Sequence, residues 1–329
     1  LKDNYSWVDQ PDILDVLKNP NKLHPEVKKY IEENNLLTEE YFRDVKDLQK
    51  KLFDEIKSKI KLDDTSLKFK DKKYYYWSKT EAKGNYGKRL RQIIDKSKPE
   101  EIYFDGDLEK KNSGSEYFGL GSVSVSHNDD YMAYSLDLKG SEYYTIYLRD
   151  LNSNRNLPDL IENTSGGITW SLDNKSFYYS KLDEFHRPRK IFKHFLGKPV
   201  ENDELIFEEK DETFTCSISL TSDEKYFIIS TSDHITTEEY FFESNTSEIK
   251  PKLFKKRILT VTRIRGAKTR QPRTAHSKDL GRRALRCFAA QHNRFMELLQ
   301  HPFLTMMSFL VVIDMIWSFH SSIRASSTS

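Results

Sequence analysis

The sequence contains little cysteine and shows no feature of a secreted chain. Only two Cys occur among the 329 residues, Cys216 and Cys287. This excludes a disulfide framework and fits a reducing compartment. Residue 1 is Leu, and no apolar segment follows a basic start, so a secretory signal is not expected. Because charged residues form 32% of the chain and aromatic residues 13%, we expect a folded, cytoplasmic protein.

Motifs that carry catalysis or bind ligands are also missing. The nucleophile of an α/β-hydrolase lies in a G-x-S-x-G pentapeptide, and none occurs in the sequence. The nearest similar segments are Gly114-Ser115 and Gly119-Leu-Gly121-Ser122, which we interpret as a Gly/Ser-rich loop before a β region. The nine His form neither H-E-x-x-H nor a Cys/His pair with metal spacing. We therefore assign no catalytic, cofactor-binding or metal-binding residue and expect no cofactor.

Several conspicuous side chains are interpreted as structural. His194 lies in a strand-like run, which predicts a packed or hydrogen-bonded histidine rather than a metal ligand. Cys216 lies within a β run and is predicted to be an inert buried thiol. Asp129, Asp173 and Asp223 lie in predicted turns, where each is expected to accept hydrogen bonds from the backbone of its own turn.

The net charge of +2 is the sum of two unlike parts. Residues 1–257 hold 34 Lys and 8 Arg against 48 acidic residues, whereas residues 258–329 hold 2 Lys and 9 Arg against 3. All 18 Tyr precede residue 258. Lys and Tyr are encoded by AT-rich codons, whereas most codons for Arg and Ala are GC-rich. Our hypothesis is therefore that the reading frame or the source of the DNA changes near Arg257. The alternative is a genuine basic tail on an acidic domain.

The basic tail allows two further interpretations, and neither is favoured. Its Arg residues could contact nucleic acid or anionic lipid through charge, but no recognition motif accompanies them, so no nucleic acid partner is expected. Residues 303–319 form an apolar run that is short for a ~20-residue membrane span. The nine Leu, Ile, Val and Phe residues contribute roughly −3 to −5 kcal/mol to the free energy of membrane insertion. Asp314 opposes insertion by about +2.5 to +3.5 kcal/mol, and the Ser and Thr residues oppose it further. Membrane association of this run is therefore not favoured.

The N-terminal part of the sequence predicts helices. Pro11 and Pro25 can each occupy the first turn of a helix, which predicts helices over residues 12–18 and 26–34. Thr38 is a candidate N-cap for a third, amphipathic helix. An apolar stripe on that helix repeats at steps of three or four residues and requires a partner surface. The stripe consists of Tyr41, Val45, Leu48, Leu52, Ile56 and Ile60.

From Leu67 onward the apolar period changes to that of β-strands. Four segments share a turn with Asp, an aromatic or β-branched run, a Ser and an acidic residue shortly after it. Their Ser residues are Ser78, Ser135, Ser180 and Ser230. A second strand-like run follows each segment, and a repeat of roughly 50 residues built from short strands is typical of β-propeller blades. A β-sandwich of hairpins would explain the strands but not the recurring Asp and Ser.

Several short segments of the sequence are more specific than the repeat. They are residues 3–7 (Asp-Asn-Tyr-Ser-Trp), the helix that begins at residues 25–27 (Pro-Glu-Val), and the blade segments at residues 190–197 and 205–214. Together with the repeat, they resemble the prolyl oligopeptidase family of serine peptidases, with the nearest likeness to its oligopeptidase B branch. The resemblance covers the sequence before the change in composition. One departure is the Val-Asp-Gln at residues 8–10, where the family usually has Leu-Arg-Asp.

The resemblance implies a cytosolic enzyme of two domains. In such enzymes a seven-bladed propeller caps an α/β-hydrolase domain with a Ser-Asp-His triad, and the N-terminal helices pack on the hydrolase side. Seven blades of ~50 residues need ~350 residues, so the sequence has room for about four. We expect a mainly β chain with a helical extension over residues 1–62, a partial β-propeller over residues 67–257, an unrelated tail over residues 258–329, and no hydrolase domain.

The expected function is the N-terminal propeller portion of an oligopeptidase-B-like serine endopeptidase. The resemblance implies that the complete relative hydrolyses short peptides after Lys or Arg through an acyl-enzyme. The chain itself is expected to be inactive, since it lacks the nucleophile. The alternative is a non-enzymatic propeller module that docks a partner and carries a basic, membrane-associated tail. Because an open arc of blades exposes its terminal faces, we also expect low solubility or rapid degradation.

Overall fold

The computed structural model describes residues 3–95 and 97–257. The predictions for the basic tail, including the apolar run over residues 303–319, lie outside the described residues. The predicted domain boundary at residue 257 stays a prediction.

Helices come first along the chain. The α-helices of the described residues are α1 Ile13–Lys18, α2 Pro25–Tyr41, α3 Lys46–Ser58 and α4 Gly106–Ser113. The first two lie where helices were predicted, and Pro25 is in the first turn of α2. Two details of the prediction are wrong: Pro11 lies before Asp12, the N-cap of α1, and α2 continues past residue 34 to Tyr41. None of these helices combines the length and the apolar character that crossing a bilayer requires.

The predicted N-cap at Thr38 is wrong. Thr38 lies inside α2, where its hydroxyl donates to the carbonyl of Asn34 at 2.9 Å. The chain changes direction instead at a 3₁₀ turn, Arg43–Val45, before α3 begins at Lys46. The prediction failed for two reasons. The hydroxyl of a threonine can donate to a carbonyl of the preceding helical turn as well as cap a helix. The spacing of apolar residues by three or four positions also does not change where the chain passes through a 3₁₀ turn.

The rest of the described chain forms four antiparallel blades. Blade 1 consists of β1 Asp64–Thr65, β2 Phe69–Asp71, β3 Tyr74–Thr80, β4 Lys88–Ile93 and β5 Glu101–Asp105. Blade 2 consists of β6 Gly119–Val125, β7 Tyr131–Asp137, β8 Tyr144–Asp150 and β9 Arg155–Thr164. Blade 3 consists of β10 Thr169–Trp170, β11 Ser176–Leu182, β12 Pro188–Phe195 and β13 Glu204–Glu208. Blade 4 consists of β14 Thr215–Leu220, β15 Tyr226–Ser232, β16 Thr237–Glu243 and β17 Lys252–Lys255.

Consecutive strands pair in most of each blade, as in a meander. In blade 4 the order is β14-β15-β16-β17, and in blade 1 both β1 and β2 pair with β3. Blades 2 and 3 are also joined to each other, because Thr164 of β9 pairs with Lys181 of β11. The α4 helix lies between blades 1 and 2 in the chain, and Arg149 of β8 is 2.7 Å from Glu109 of that helix.

Three apolar cores lie between successive blades. The core between blades 1 and 2 contains Phe104, Phe118, Met132, Tyr134, Leu136 and Leu151. The core between blades 2 and 3 contains Ala133, Ile146, Leu148, Ile161, Trp170, Phe177 and Tyr179. The core between blades 3 and 4 contains Tyr178, Ile191, Ile206, Cys216, Phe227, Ile229 and Phe242.

Alternating side chains of one strand therefore enter different cores. Met132 and Tyr134 of β7 contribute to the first core and Ala133 to the second, while Tyr178 and Tyr179 of β11 divide between the second and third. A blade buried on both faces explains the continuous apolar and aromatic runs of these strands. Sheets stacked in succession with a core at every junction are blades of a propeller rather than the two layers of a sandwich. The predicted fold, a partial β-propeller after a helical extension, is confirmed.

Candidate functional site

The turn between the first and second strand of each blade has the same backbone conformation. In every blade, one residue lies in the left-handed region two positions before the long strand. These residues are Lys72 (φ 45°), Asp129 (φ 67°), Asn174 (φ 57°) and Glu224 (φ 59°). None is Gly, and Asn and Asp tolerate this conformation better than Lys or Glu do. The repeat seen in the sequence therefore corresponds to one turn structure that occurs four times.

Two of the predicted turn caps are confirmed. The carboxylate of Asp173 accepts a hydrogen bond from the backbone nitrogen of Lys175 at 2.8 Å. The carboxylate of Asp223 accepts one from the nitrogen of Lys225 at 3.2 Å. Each Asp lies directly before the left-handed residue and satisfies a donor within its own turn, as Asx turns do.

The prediction for Asp129 is wrong, because Asn128 caps that turn by accepting from the nitrogen of Asp130 at 3.3 Å. Asp129 itself occupies the left-handed position and reaches the neighbouring blade. Its Oδ1 accepts from the hydroxyl of Tyr76 at 2.6 Å, and its carbonyl accepts from the guanidinium of Arg91 at 2.7 Å. The sequence Asn-Asp-Asp offers adjacent candidates for the cap, and a pattern of residue types could not distinguish them.

The Tyr76–Asp129 contact joins blade 1 to blade 2 through buried polar groups. Burial, together with the bond to Asp129, raises the pKa of Tyr76 above its ordinary value, so the phenol stays a donor. The second oxygen of Asp129, Oδ2, is buried and has no hydrogen-bond partner in the described part of the chain. The carboxylate therefore depends on Tyr76 for its side-chain hydrogen bond.

Two of the four recurring Ser residues, Ser135 and Ser180, also connect blades. Ser135 of β7 donates its hydroxyl to the carbonyl of Gly166, at the entry to blade 3, at 2.7 Å. Ser180 of β11 donates to the carbonyl of Cys216 in blade 4 at 3.3 Å. The sequence revealed that these Ser recur, but only the structure shows that they bond the backbone of the following blade.

Side chains from the turns before the long strands form a charged cluster with neighbouring blades. The sequence analysis did not identify this cluster. The Lys72 ammonium lies 2.8 Å from Nδ1 of His127 and 3.5 Å from the Glu224 carboxylate. Nε2 of His127 lies 3.4 Å from the carbonyl of Trp170. These residues come from blades 1, 2, 3 and 4. Because they are far apart in the sequence and of different types, no motif could have identified them together.

This cluster favours a neutral imidazole. Burial, followed by the charge of Lys72, lowers the pKa of His127. The neutral ring can accept from Lys72 at Nδ1 and donate to the carbonyl of Trp170 from Nε2. Both nitrogens are then engaged, so His127 joins turns of different blades rather than offering a free base.

The segments nearest to G-x-S-x-G have structural roles. Gly114 is the left-handed C-cap of α4, and the hydroxyl of Ser115 donates to the carbonyl of Leu138. The segment that begins at Gly119 is strand β6, not the predicted loop. A Cβ on Gly121 would lie 2.8 Å from the ring of Tyr144, so close packing of that ring explains the glycine.

Cys216 lines a cavity of about 220 Å³ between blades 3 and 4, beside hydroxyls such as those of Ser165 and Ser232. The predicted burial of Cys216 is confirmed. Burial, with the charge of Glu209 adding to it, raises the pKa of the thiol to about 12. A thiol in this environment stays protonated at neutral pH and is a poor nucleophile.

His194 is hydrogen-bonded through both ring nitrogens, as the sequence predicted for a packed histidine. Nδ1 lies 2.7 Å from Asp203, and Nε2 lies 3.0 Å from Asp159. Within residues 3–95 and 97–257, no group of three or more His, Cys, Asp or Glu is arranged to hold a metal ion.

Comparison with known proteins agrees with the blade architecture. The family model described as "Prolyl oligopeptidase, N-terminal beta-propeller domain" matches residues 1–269. The chain belongs to this family. The resemblance noted from the sequence is thereby confirmed, and the four blades are part of a prolyl oligopeptidase-type propeller.

Relatives of this propeller are peptidases of greater length. The chain is 26% identical over 250 residues to dipeptidyl aminopeptidase BI of Pseudoxanthomonas mexicana, covering 72% of this chain and 33% of the relative. It is 25% identical over 252 residues to protease 2 of Moraxella lacunata, covering 74% of this chain and 35% of the relative. The chain therefore spans about a third of the length of these curated relatives.

Solved structures show the same fold. Oligopeptidase B from Leishmania major superimposes with a TM-score of 0.68 at 22% identity, covering 78% of this chain and 35% of that one. Oligopeptidase B from Trypanosoma brucei gives a TM-score of 0.66 at 23% identity with the same coverage. At these identities the likeness establishes the fold of the propeller.

Proposed function

We propose that this chain is the propeller portion of a serine endopeptidase that hydrolyses short peptides after Lys or Arg. The observation that carries the proposal is the family match across four consecutive blades, in a chain that spans about a third of its peptidase relatives. The specificity is supported by the segments at residues 190–197 and 205–214, which resemble the oligopeptidase B branch and correspond to β12 and the region of β13.

Catalysis by the chain alone is not part of the proposal. Acyl transfer requires a nucleophile, a base that can take its proton, and donors for the oxyanion. The sequence has no G-x-S-x-G pentapeptide. His194 and His127 have both ring nitrogens engaged by other groups, so neither is available as a base. We therefore expect the isolated chain to be inactive.

The exposed apolar stripe of α3 supports the proposal that the complete peptidase supplies a surface against which it packs. Leu48, Leu52 and Ile56 are 54%, 46% and 53% exposed. An apolar stripe on an amphipathic helix normally faces a core, and these side chains face none within the described residues. We propose that the stripe packs on the hydrolase domain of the complete peptidase. The low cysteine content and the free, buried thiol of Cys216 support a cytoplasmic location.

A fluorogenic peptide assay tests the inactivity of the chain. The purified chain is incubated with a peptide that carries Arg before the scissile bond, with and without a serine-directed phosphonate. We expect no release of fluorophore above the buffer control. Cleavage that the phosphonate blocks would contradict the proposal. The variants Ser115→Ala and Ser122→Ala are the matched controls, since they remove the hydroxyls of the segments nearest to a nucleophile motif.

A further inference from the structure

His194 lies between two carboxylates that belong to different blades. The imidazole projects from β12 of blade 3 and is completely buried. Asp159, at Nε2, comes from β9 of blade 2. Asp203, at Nδ1, follows the short 3₁₀ turn Val200–Asn202 of blade 3. The ring therefore bridges two blades through one hydrogen bond on each side.

Apart from the imidazole, the two carboxylates contact only neutral groups among the described residues. Asp203 also accepts from the hydroxyl of Tyr179 at 2.8 Å, and Asp159 also accepts from the backbone nitrogen of Gly197. Oδ2 of Asp159 is buried without a partner in the described part of the chain. The titratable groups that face the ring are Asp159 and Asp203, with Tyr179 behind Asp203. Among the described residues, no other cation pairs with either carboxylate.

The number of protons in this cluster limits its charge state. A neutral imidazole has a single N–H, so it can donate to only one of two flanking carboxylates. The other ring nitrogen would then direct a lone pair at a buried carboxylate oxygen, which is unfavourable where water cannot intervene. An imidazolium donates to both. Burial opposes the charged ring, but the hydrogen bonds to Asp203 and Asp159 outweigh it, and the pKa of His194 is raised.

We propose that His194 is kept as an imidazolium that clamps blade 2 to blade 3, and that loss of its proton loosens this junction. The clamp is a proton-dependent element of the propeller and is independent of the proposed peptidase function. It acts on the junction where β9 and β11 pair only between Thr164 and Lys181.

The direction of the pH effect follows from linkage. A histidine whose folded-state pKa lies above the unfolded value, 6.5, stabilises the fold fully below that pH. Between 6.5 and the folded-state pKa, unfolding releases the proton, so rising pH favours the unfolded state. In that window the unfolding equilibrium constant rises by up to about tenfold per pH unit because of this residue.

Nuclear magnetic resonance of the full chain labelled with ¹⁵N-histidine tests the charge state directly. We expect both ring nitrogens of His194 to carry protons at about pH 7. The His194→Gln variant assigns the signal, and exposed His24 provides a reference within the same sample. An unprotonated ring nitrogen at that pH would overturn the proposal.

Chemical unfolding at a series of pH values tests the clamp. The difference in unfolding free energy between the chain and the His194→Gln variant should be constant below pH 6.5 and should shrink as pH rises above it. His234→Gln, at an exposed position, is the matched control. A difference that does not change with pH would contradict the clamp. If His194→Gln does not fold, Asp203→Asn identifies the His194 signal through the shift it causes, and the resonance measurement on the unmodified chain then decides.

Discussion

At the scale of residues, the blades are joined by side chains that reach across to the next blade rather than by those that complete their own turn. Asp129 is the clearest case. It occupies the left-handed position of its turn, and its carboxylate accepts a hydrogen bond from Tyr76 of the preceding blade. Its carbonyl holds Arg91, which also pairs with Glu101 of β5. One residue in a left-handed conformation thus places two hydrogen-bonding groups against blade 1.

The substitution Tyr76→Phe tests this junction. It removes the donor to a buried carboxylate whose other oxygen already lacks a partner. We expect the free energy of unfolding to fall by about 1.5–3 kcal/mol, the usual effect of losing a hydrogen bond to a charged group. Urea unfolding measures the loss. Tyr5→Phe, at a position 67% exposed, is the matched control, and an equal effect of the two substitutions would show that the contact adds nothing.

At the scale of elements, the sequence predicted strands better than it predicted how they meet. The blade strands follow recurring aromatic runs, and local alternation is visible in one sequence. Ser135 and Ser180 donate hydrogen bonds to the backbone of the next blade. The sequence showed that these Ser residues recur, but not which groups they bind. The cluster of Lys72, His127 and Glu224 had no signal at all, because contacts between distant turns depend on how blades stack. Spacing along the chain does not encode that stacking.

The helices show the same difference between what local sequence predicts and what it does not. The predicted amphipathic stripe, from Tyr41 to Ile60, contains α3 but also runs across the break at Arg43–Val45, because that break depends on backbone geometry that apolar spacing does not encode. The exposed stripe of α3 was predicted to need a partner, and the described residues supply none. This surface is where we expect self-association of the isolated chain.

Replacing Leu48, Leu52 and Ile56 together by Gln tests that expectation. Because about half of each side chain is exposed, the change should cost little unfolding free energy, while it removes apolar surface that favours association. Sedimentation velocity should show a larger monomer fraction than for the unmodified chain. Lys50→Gln with Lys57→Gln, on the opposite face, is the control. A monodisperse, cooperatively melting monomer before any substitution would contradict the expected low solubility.

At the scale of the whole molecule, the last described residues are fixed firmly to blades 3 and 4. The guanidinium of Arg257 lies 2.6 Å from Glu209 and 3.2 Å from Glu238, both buried. It also lies 3.9 Å above the ring of Phe214. The change in composition thus begins directly after a residue that is part of the propeller.

Sequencing the gene tests whether this propeller belongs to a longer peptidase. The DNA through codons 250–270 and onward is sequenced and translated in all three frames. We expect another frame to resume with further blade repeats and then a G-x-S-x-G segment of a hydrolase domain. An intact frame with nothing similar to a peptidase downstream would contradict the claim, and the propeller would then be a binding module with a genuine basic tail.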